Sequence, residues 1–303
     1  MSGLHVLWFQ HDLRVHDHAA LRAACQDAER DGGQVMALYV RATASTNDRD
    51  HASPRARFLT DALLDLRWAL EQRDAVLHLR CGDILDVLSE LHTEHRILSL
   101  HHHHDGPLDD TLRVMEAWSL RAGVRLNFYN QVAPVRAARD RTPTQTLWEQ
   151  FMARPRHEAP DSIPSANVGI GQWPQVSETS PEKELQASRG RKAAIRRLRG
   201  FLGAAASEAP ERQSATSAFE DLKPHIELGT VSLREVWQAA IGAHQQALKS
   251  GLDIRAASIA TFLHALPMVS EAIAPIPARE SRTPSRRVRP GDQLSLGLGD
   301  PRN

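Results

Sequence analysis

The sequence predicts an α/β fold: a doubly wound, Rossmann-like, five-stranded parallel sheet followed by a small, truncated all-helical domain. Over the first 130 residues, short apolar runs alternate with segments of helical spacing, which is the pattern of repeated βαβ units. The apolar runs are nearly continuous rather than alternating, as in strands that are buried on both faces. After residue 130 only helical patterns recur, and the spacing between them is irregular.

The strands and helices of the α/β part follow one another in regular order. The predicted strands are residues 4–9, 34–40, 75–79, 96–100 and 124–129. The helices predicted between them are residues 18–30, a helix that starts at Ser53 and Pro54, and residues 83–95 and 108–122. Serine is a good N-cap and proline suits the first helical position, so this pair marks a helix start. Five strands joined by four helices predict a parallel sheet with right-handed crossovers.

The chain divides into four predicted parts. Residues 1–130 form the α/β domain, and residues 131–212, rich in Pro, Ser and Arg, form a long inter-domain connection. Residues 213–273 form the truncated helical domain, and residues 274–303 a disordered tail. Helical patterns after the α/β domain lie at residues 146–152, 189–202, 222–241 and 253–266.

Composition narrows the class of protein. The 303 residues include 37 basic and 37 acidic side chains, and this zero formal charge argues against a protein that coats nucleic acid through bulk charge. No apolar stretch is long enough to span a membrane, and the start of the chain resembles a strand rather than a signal peptide. We therefore expect a cytoplasmic protein. Cys25 and Cys81 lack metal-ligand spacing and are predicted to be free thiols.

The first strand and its loop read Trp8-Phe9-Gln10-His11-Asp12-Leu13-Arg14, with His16-Asp17 and Ala20-Leu21 after them. This stretch closely resembles the amino-terminal signature of the DNA photolyase and cryptochrome family, in which only the position of Gln10 carries Arg instead. The resemblance covers roughly residues 4–240. It implies a sheet order of 3-2-1-4-5 and a light-driven, flavin-dependent role, either in the repair of damaged DNA by a lyase reaction or in blue-light sensing.

The same resemblance implies a pocket for an antenna chromophore of the folate or deazaflavin type. Sheets of this kind bind ligands at the carboxyl ends of their strands. One wall of the pocket would be formed by Gln10, His11, Asp12 and Arg14, and the other by His101 and His104. Asp12 and Arg14 are equally well explained as stabilising the turn. Consecutive side chains of an extended run point to opposite faces, so residues 101–104 predict a polar loop rather than a metal site.

A flavin site is implied by the segment from Phe219 to Gly229, which resembles the family's flavin-phosphate segment. Lys223 and His225 are the candidate FAD-binding residues there. Phe219, Glu220 and Asp221 replace the first three polar contacts, and a carboxylate about 4 Å from a phosphate costs roughly 4 kcal/mol at an effective dielectric constant near 20. The chain after Gly229 is also expected to be too short for the family's remaining flavin helices. A capping role for the helices is favoured over a working flavin site.

Contacts with partners are predicted at two places. Residues 189–202 resemble the helix that opens the family's flavin domain, and Arg191, Lys192 and Arg196 are candidates for contact with DNA phosphates. The alternative is a solvated helix face. The tail residues Gln293, Leu294, Leu296 and Leu298 resemble the peptides by which bacterial repair and replication proteins dock on the DNA sliding clamp.

Two functions remain open at this point. The first is a photolyase-like flavoenzyme. The second is a non-flavin accessory protein of DNA repair that is tethered to the sliding clamp through its tail. The altered flavin segment favours the second. Trp68, Trp118 and Trp148 fall on apolar helix faces and are predicted to lie in the core, outside any functional site.

Overall fold

The computed structural model describes residues 3–41, 53–104, 110–132, 144–171, 173, 190–203 and 214–273. The strands are β1 (Leu4–Phe9), β2 (Gln34–Arg41), β3 (Leu77–Cys81), β4 (Ile97–His103) and β5 (Arg125–Tyr129). The helices of the first part are α1 (Ala19–Asp31), α2 (Pro54–Glu71), α3 (Ile84–Glu94) and α4 (Asp110–Ala122). They are followed by α5 (Thr144–Met152), α6 (Arg191–Gly203), α7 (Ala215–Glu227), α8 (Leu233–Lys249) and α9 (Asp253–Ile273).

The five strands form one parallel sheet in the order β3-β2-β1-β4-β5, which confirms the predicted order. All six residues of the central strand β1 are buried. On one face of the sheet, Leu7 and Phe9 pack in a cluster with residues of α1 and α2. On the other face, Val6 and Trp8 pack with residues of α3 and α4. Helices on both faces make the sheet doubly wound, as the sequence predicts.

Local signals explain where the first helices begin and end. The Ser53 hydroxyl accepts a hydrogen bond from the Ala56 backbone N–H, and Pro54 occupies the first helical position, as predicted. Before α1, the His18 ring acts as the N-cap by accepting from the Leu21 N–H. Gly32 ends α1 with a φ of 64°, a conformation that glycine adopts without strain.

A second hydrophobic core holds α5 to α9 together. Its largest members are aromatic: Trp148, Phe151, Phe201, Phe219 and Phe262. Two of its helices, α5 and α6, lie within the segment 131–212 that the sequence assigns to a connection. Other parts of that segment run along the α/β unit, where the Val35 N–H donates to the Pro164 carbonyl and the Leu79 N–H to the Ile170 carbonyl. The described part of the segment therefore packs against both units.

Three sequence predictions are wrong in detail. The helical pattern over 222–241 is broken into α7 and α8, because Gly229 takes a φ of 68° and Ser232 caps a new helix. Strand β4 continues through His103, so the first three histidines of 101–104 are strand residues and not loop residues. Trp68 is 43% exposed, whereas Trp118 and Trp148 are buried as predicted.

Three further sequence predictions concern the two cysteines, the tail and membrane-spanning segments. Cys25 and Cys81 are free thiols, as predicted. The tail from residue 274 lies outside the described residues. In the part of the chain that the structure describes, no helix has both the length and the apolarity needed to cross a membrane.

Candidate functional site

The loop between β1 and α1 is centred on the fully buried carboxylate of Asp12. One oxygen, Oδ1, accepts a hydrogen bond from the Gln10 backbone N–H at 2.7 Å. The other, Oδ2, lies 2.7 Å from Nδ1 of His103 and 3.0 Å from Nε2 of His18. His103 is contributed by the end of β4 and His18 by the N-cap of α1, so one carboxylate connects a neighbouring strand and a helix to the loop.

The proton positions follow from these contacts. Nδ1 of His18 accepts the Leu21 N–H at 3.0 Å, so in the neutral ring Nε2 carries the proton, and this nitrogen lies 3.0 Å from the Asp12 carboxylate. Burial lowers the pKa of His18 and of His103, which keeps both rings neutral. Burial would raise the pKa of the Asp12 carboxyl, but its contacts with the two histidines outweigh burial and hold that pKa well below the usual value.

This arrangement is an internal network and not a metal site. Asp12, His18 and His103 offer three ligand atoms within 4.8 Å of one another. A metal at that point would need the lone pair of His18 Nε2, while Nδ1 already accepts from the backbone. The ring would then have to lose both protons. Instead, the neutral His103 ring donates to the ionised Asp12 carboxylate, and His18 Nε2 lies 3.0 Å from the same oxygen.

Asp17 extends the network to the helical unit. Its Oδ2 accepts from the Ser232 hydroxyl at 2.6 Å, and its Oδ1 lies 3.3 Å from the Arg234 guanidinium. Burial would raise the pKa of Asp17, but the Ser232 hydroxyl and the charges of Arg234 and Arg14 lower it overall. All of these groups are buried, so the contacts act at low dielectric and are strong.

Arg14 and Gly229 complete the contact between the units. The Arg14 guanidinium donates to the carbonyls of Gly229 at 3.1 Å and of Asp17 at 3.2 Å. Gly229 has a φ of 68°, and a Cβ atom on it would lie 2.3 Å from the His11 carbonyl oxygen. Only glycine fits this approach. We refer to the contacts between residues 10–18 and residues 228–234, together with the contacts of Asp12 with His18 and His103, as the junction.

The histidines of β4 alternate between the two faces of the sheet. His101 lies under α1, with Nε2 at 2.7 Å from the Ser99 hydroxyl and Nδ1 at 3.1 Å from the Tyr129 hydroxyl. His102 lies on the other face, against Trp8 and near Gln10. Burial lowers the pKa of both His101 and His102 to about 4, so both rings are neutral at physiological pH.

A second group of possible metal ligands, His5, Asp27 and His101, also lies under α1. The Arg125 guanidinium is 3.3 Å from the Asp27 carboxylate and 3.1 Å from Asp31. This cation already supplies the positive charge that a metal ion would bring to the group. The group is accordingly explained as an ion-pair and hydrogen-bond network.

The six residues predicted to line an antenna pocket fall into separate groups in the structure. Gln10 lies beside His102, Asp12 and Arg14 belong to the junction, and His101 forms a separate network. His11 is exposed, and the His104 backbone N–H donates to the Tyr129 carbonyl. The other loops at this edge of the sheet, residues 42–52 and 105–109, lie outside the described residues. An antenna chromophore therefore stays a prediction.

The segment aligned with the flavin-phosphate motif forms α7. Phe219 turns into the helical core, while Glu220 and Asp221 lie on the exposed face of the helix. Lys223 is half-buried. The side chains that replace the motif's polar residues therefore point in different directions and do not form one phosphate-binding surface.

His225, the second candidate of this segment, is buried within the helical unit. Its Nε2 accepts from the Arg197 guanidinium at 2.9 Å, and its Nδ1 lies 3.0 Å from the Thr230 hydroxyl. Burial and the nearby Arg197 lower its pKa to about 4. Both ring nitrogens are engaged, so the described residues of α7 do not fit a flavin diphosphate in the way the resemblance implies.

The predicted DNA-contacting residues lie on α6, where they have different surroundings. Arg191 forms a two-pronged salt bridge with Glu235 at 2.6 and 2.7 Å. The Lys192 ammonium lies 4.3 Å from the centre of the Trp68 ring, and Arg196 is exposed. Arg191 is therefore tied to α8, while Lys192 and Arg196 face outward. The tail residues 293–298 lie outside the described residues.

Sequence reasoning missed six of the residues that form the junction. The missed residues are His18, Asp17, His103, Gly229, Ser232 and Arg234. His18 carries a local signal, because it directly precedes a helical pattern in an N-cap position. Ser232 lies 215 positions from Asp17, so no local pattern could have paired them.

Comparisons with known proteins agree with this fold. Residues 5–133 match the family model described as DNA photolyase. A curated relative, the deoxyribodipyrimidine photo-lyase of Escherichia coli, is 26% identical over 271 residues, which are 82% of this chain and 56% of that protein. A 31.6 kDa uncharacterized protein in the atpI 5' region of Synechococcus sp. is 26% identical over 86% of this chain and 95% of its own length.

A solved structure is also similar to this chain. The crystal structure of a class III photolyase from Agrobacterium tumefaciens superposes with a TM-score of 0.61 at 20% identity, over 90% of this chain and 59% of that chain. At this identity the likeness shows the fold alone. The chain thus spans a little over half the length of the E. coli and Agrobacterium photolyases.

Proposed function

We propose that this chain, whose residues 5–133 match the DNA photolyase family model, is a non-flavin accessory protein of DNA repair that keeps the scaffold of that family and works by binding. The junction supports this proposal, since the polar residues of the family signature fasten the helical unit to the sheet. In this role the signature loop is structural, and the partners bind elsewhere.

The observation that carries the proposal is the geometry of α7. Phe219 is in the core, Glu220 and Asp221 are on the solvent face, and His225 is enclosed by Arg197 and Thr230. A flavin diphosphate needs several donors aimed at one place. Two carboxylates near such a place would repel it, at roughly 4 kcal/mol per close contact.

The test is an absorption spectrum of the full chain, purified in the dark from its native host, followed by denaturation to release any chromophore. The E. coli photolyase prepared in the same way serves as the positive control. We expect no stoichiometric flavin in this protein. One flavin per chain would contradict the proposal and favour the light-driven repair enzyme, the alternative that the match to the family model alone supports.

The partner that we propose is the bacterial sliding clamp, bound through Gln293, Leu294, Leu296 and Leu298. A peptide that orders on binding has modest affinity, so we expect a Kd on the order of micromolar for the full chain on immobilised clamp. The matched control replaces Leu294, Leu296 and Leu298 with Ala and should abolish binding. No binding of the native chain at about 100 μM would refute this part of the proposal.

A further inference from the structure

A large cleft lies where the α/β unit and the helical unit meet, away from α7. Its volume is about 950 Å³, in the upper part of the range of small-molecule sites. One wall is α2, the other is α6, and the loop residues 13–16 form the floor. None of its lining residues comes from the segment that resembles the flavin motif, so the cleft is a separate site.

The charge of the cleft is strongly positive. The cationic side chains that line it are Arg14, Arg73, Arg191, Lys192, Arg196 and Arg199. Among the described lining residues the one carboxylate is that of Asp65, which accepts the Arg191 backbone N–H, and burial raises its pKa. His16 also lines the cleft, and burial together with the charges of Arg191 and Arg73 lowers its pKa. Arg191 is paired with Glu235, so an anion entering the cleft would meet mainly Arg73, Lys192 and Arg199.

One of these cations has an unused donor. Arg73 follows the end of α2, and its guanidinium donates through Nη1 to the carbonyl of Ala69 on that helix at 2.8 Å. Its Nε is buried and has no hydrogen-bond partner among the residues that the structure describes. This Nε is shielded from the cleft, so a phosphate bound here would contact the outer nitrogens of the guanidinium, and arginine pairs favourably with phosphate oxygens.

The cleft also offers an aromatic face. Trp68, on α2, is 43% exposed although it was predicted to be in the core. The Lys192 ammonium lies over its ring at 4.3 Å, and Ile195 and Ala69 provide apolar surface beside it. A flat, electron-rich ring next to flexible cations is the arrangement on which nucleobases stack while their phosphates are neutralised.

We infer that this cleft binds a nucleotide, with its base on Trp68 and its phosphate between Arg73 and Arg199. On binding, the Lys192 ammonium would move from the Trp68 ring and contact the phosphate. A free nucleotide and a nucleotide within single-stranded DNA share this chemistry. The inference extends the DNA-related role proposed above and is independent of the flavin question.

The experiment is isothermal titration calorimetry of the full chain at low ionic strength with AMP, inorganic phosphate and a short oligo-dA strand. We expect AMP to bind with a Kd on the order of 10–100 μM and phosphate to bind at least about tenfold more weakly. Trp68→Ala and Arg199→Ala should each weaken AMP binding about tenfold. Trp68→Phe keeps a ring face and should stay within about threefold of the native chain.

The matched control is Arg57→Ala, which removes an exposed arginine from α2 outside the cleft and should change affinity less than about twofold. AMP binding without oligo-dA binding would identify a free nucleotide, and oligo-dA binding with the same losses in the variants would identify a strand. No binding of either probe at about 1 mM would overturn the inference, as would equal losses in Arg57→Ala. If Trp68→Ala and Arg199→Ala bound oligo-dA as tightly as the native chain, the cleft would not be the binding site. The DNA-related role proposed above would still stand.

Discussion

The junction and the cleft are both rich in charged side chains, but they use them in opposite ways. In the junction, Asp12 and Asp17 are buried and each accepts from partners at 2.6–3.3 Å within the chain. In the cleft, Lys192, Arg196 and Arg199 are exposed around an open volume. Charges that are paired within the chain stabilise the fold, whereas exposed charges beside a cavity can interact with a ligand that enters it.

Among substitutions in the two regions, we expect Gly229→Ala in the junction to cause the largest loss of stability. The left-handed φ of 68° disfavours any Cβ, and the new atom would meet the His11 carbonyl oxygen at 2.3 Å. Strain and overpacking together should lower the free energy of unfolding by roughly 2–5 kcal/mol. Urea denaturation followed by circular dichroism measures this loss.

Gly251→Ala is the matched control for that substitution. Gly251 has nearly the same φ, 67°, but nothing lies within 4 Å of its would-be Cβ. Gly251→Ala should therefore lower the free energy of unfolding only by the cost of the left-handed backbone conformation, about 1–2 kcal/mol. If the two variants lost equal stability, the close approach between Gly229 and the loop would contribute nothing.

Acid should destabilise the protein through its buried histidines. Burial lowers the pKa values of His101, His102 and His225 from 6.5 to about 4 in the folded protein. Between pH 6.5 and 4 the unfolded chain therefore binds more protons, so stability falls as the pH falls. The loss should reach about 3 kcal/mol per ring at pH 4.

Urea denaturation at a series of pH values from 7.5 to 4.5 tests this expectation. His225→Gln should flatten the pH dependence, since one of the three rings is removed. His264→Gln makes the same substitution at an exposed position and serves as the matched control. A free energy of unfolding that does not change over this pH range would contradict the buried, neutral state of these rings.

The smallest effect on stability is expected in the cleft. Arg199 is exposed on α6, so Arg199→Ala should change the free energy of unfolding by less than about 0.5 kcal/mol. The same variant should lose nucleotide affinity, which separates a binding role from a structural one. A loss of stability as large as that of Gly229→Ala would place Arg199 with the junction instead.

The sequence predicted the α/β unit well because its signals are local. The apolar run of β1, the Ser53-Pro54 helix start and the alternation of strands and helices are all readable within short windows. The sheet order came from the family resemblance and is confirmed. The separate networks of Asp12 and His101 could not be predicted, because they depend on pairings between residues distant in sequence.

The second unit was harder to predict for the same reason. The break between α7 and α8 is set by Gly229, whose conformation is required by contact with a loop more than 200 residues away. Trp68 lies on a helix with an apolar stripe, yet it borders a cleft rather than the core. Spacing along one helix indicates an apolar face but not what that face meets.

The hydrogen bond between Asp17 and Ser232 is the contact by which the signature loop most directly fastens the helical unit to the sheet. A double-mutant cycle in urea denaturation, with Asp17→Ala, Ser232→Ala and both together, measures that contact across the junction. Because Ser232 also caps α8 through the Glu235 N–H, the cycle is needed to remove that separate contribution. We predict a coupling energy of at least about 1 kcal/mol. A coupling below about 0.3 kcal/mol would contradict this role of the hydrogen bond.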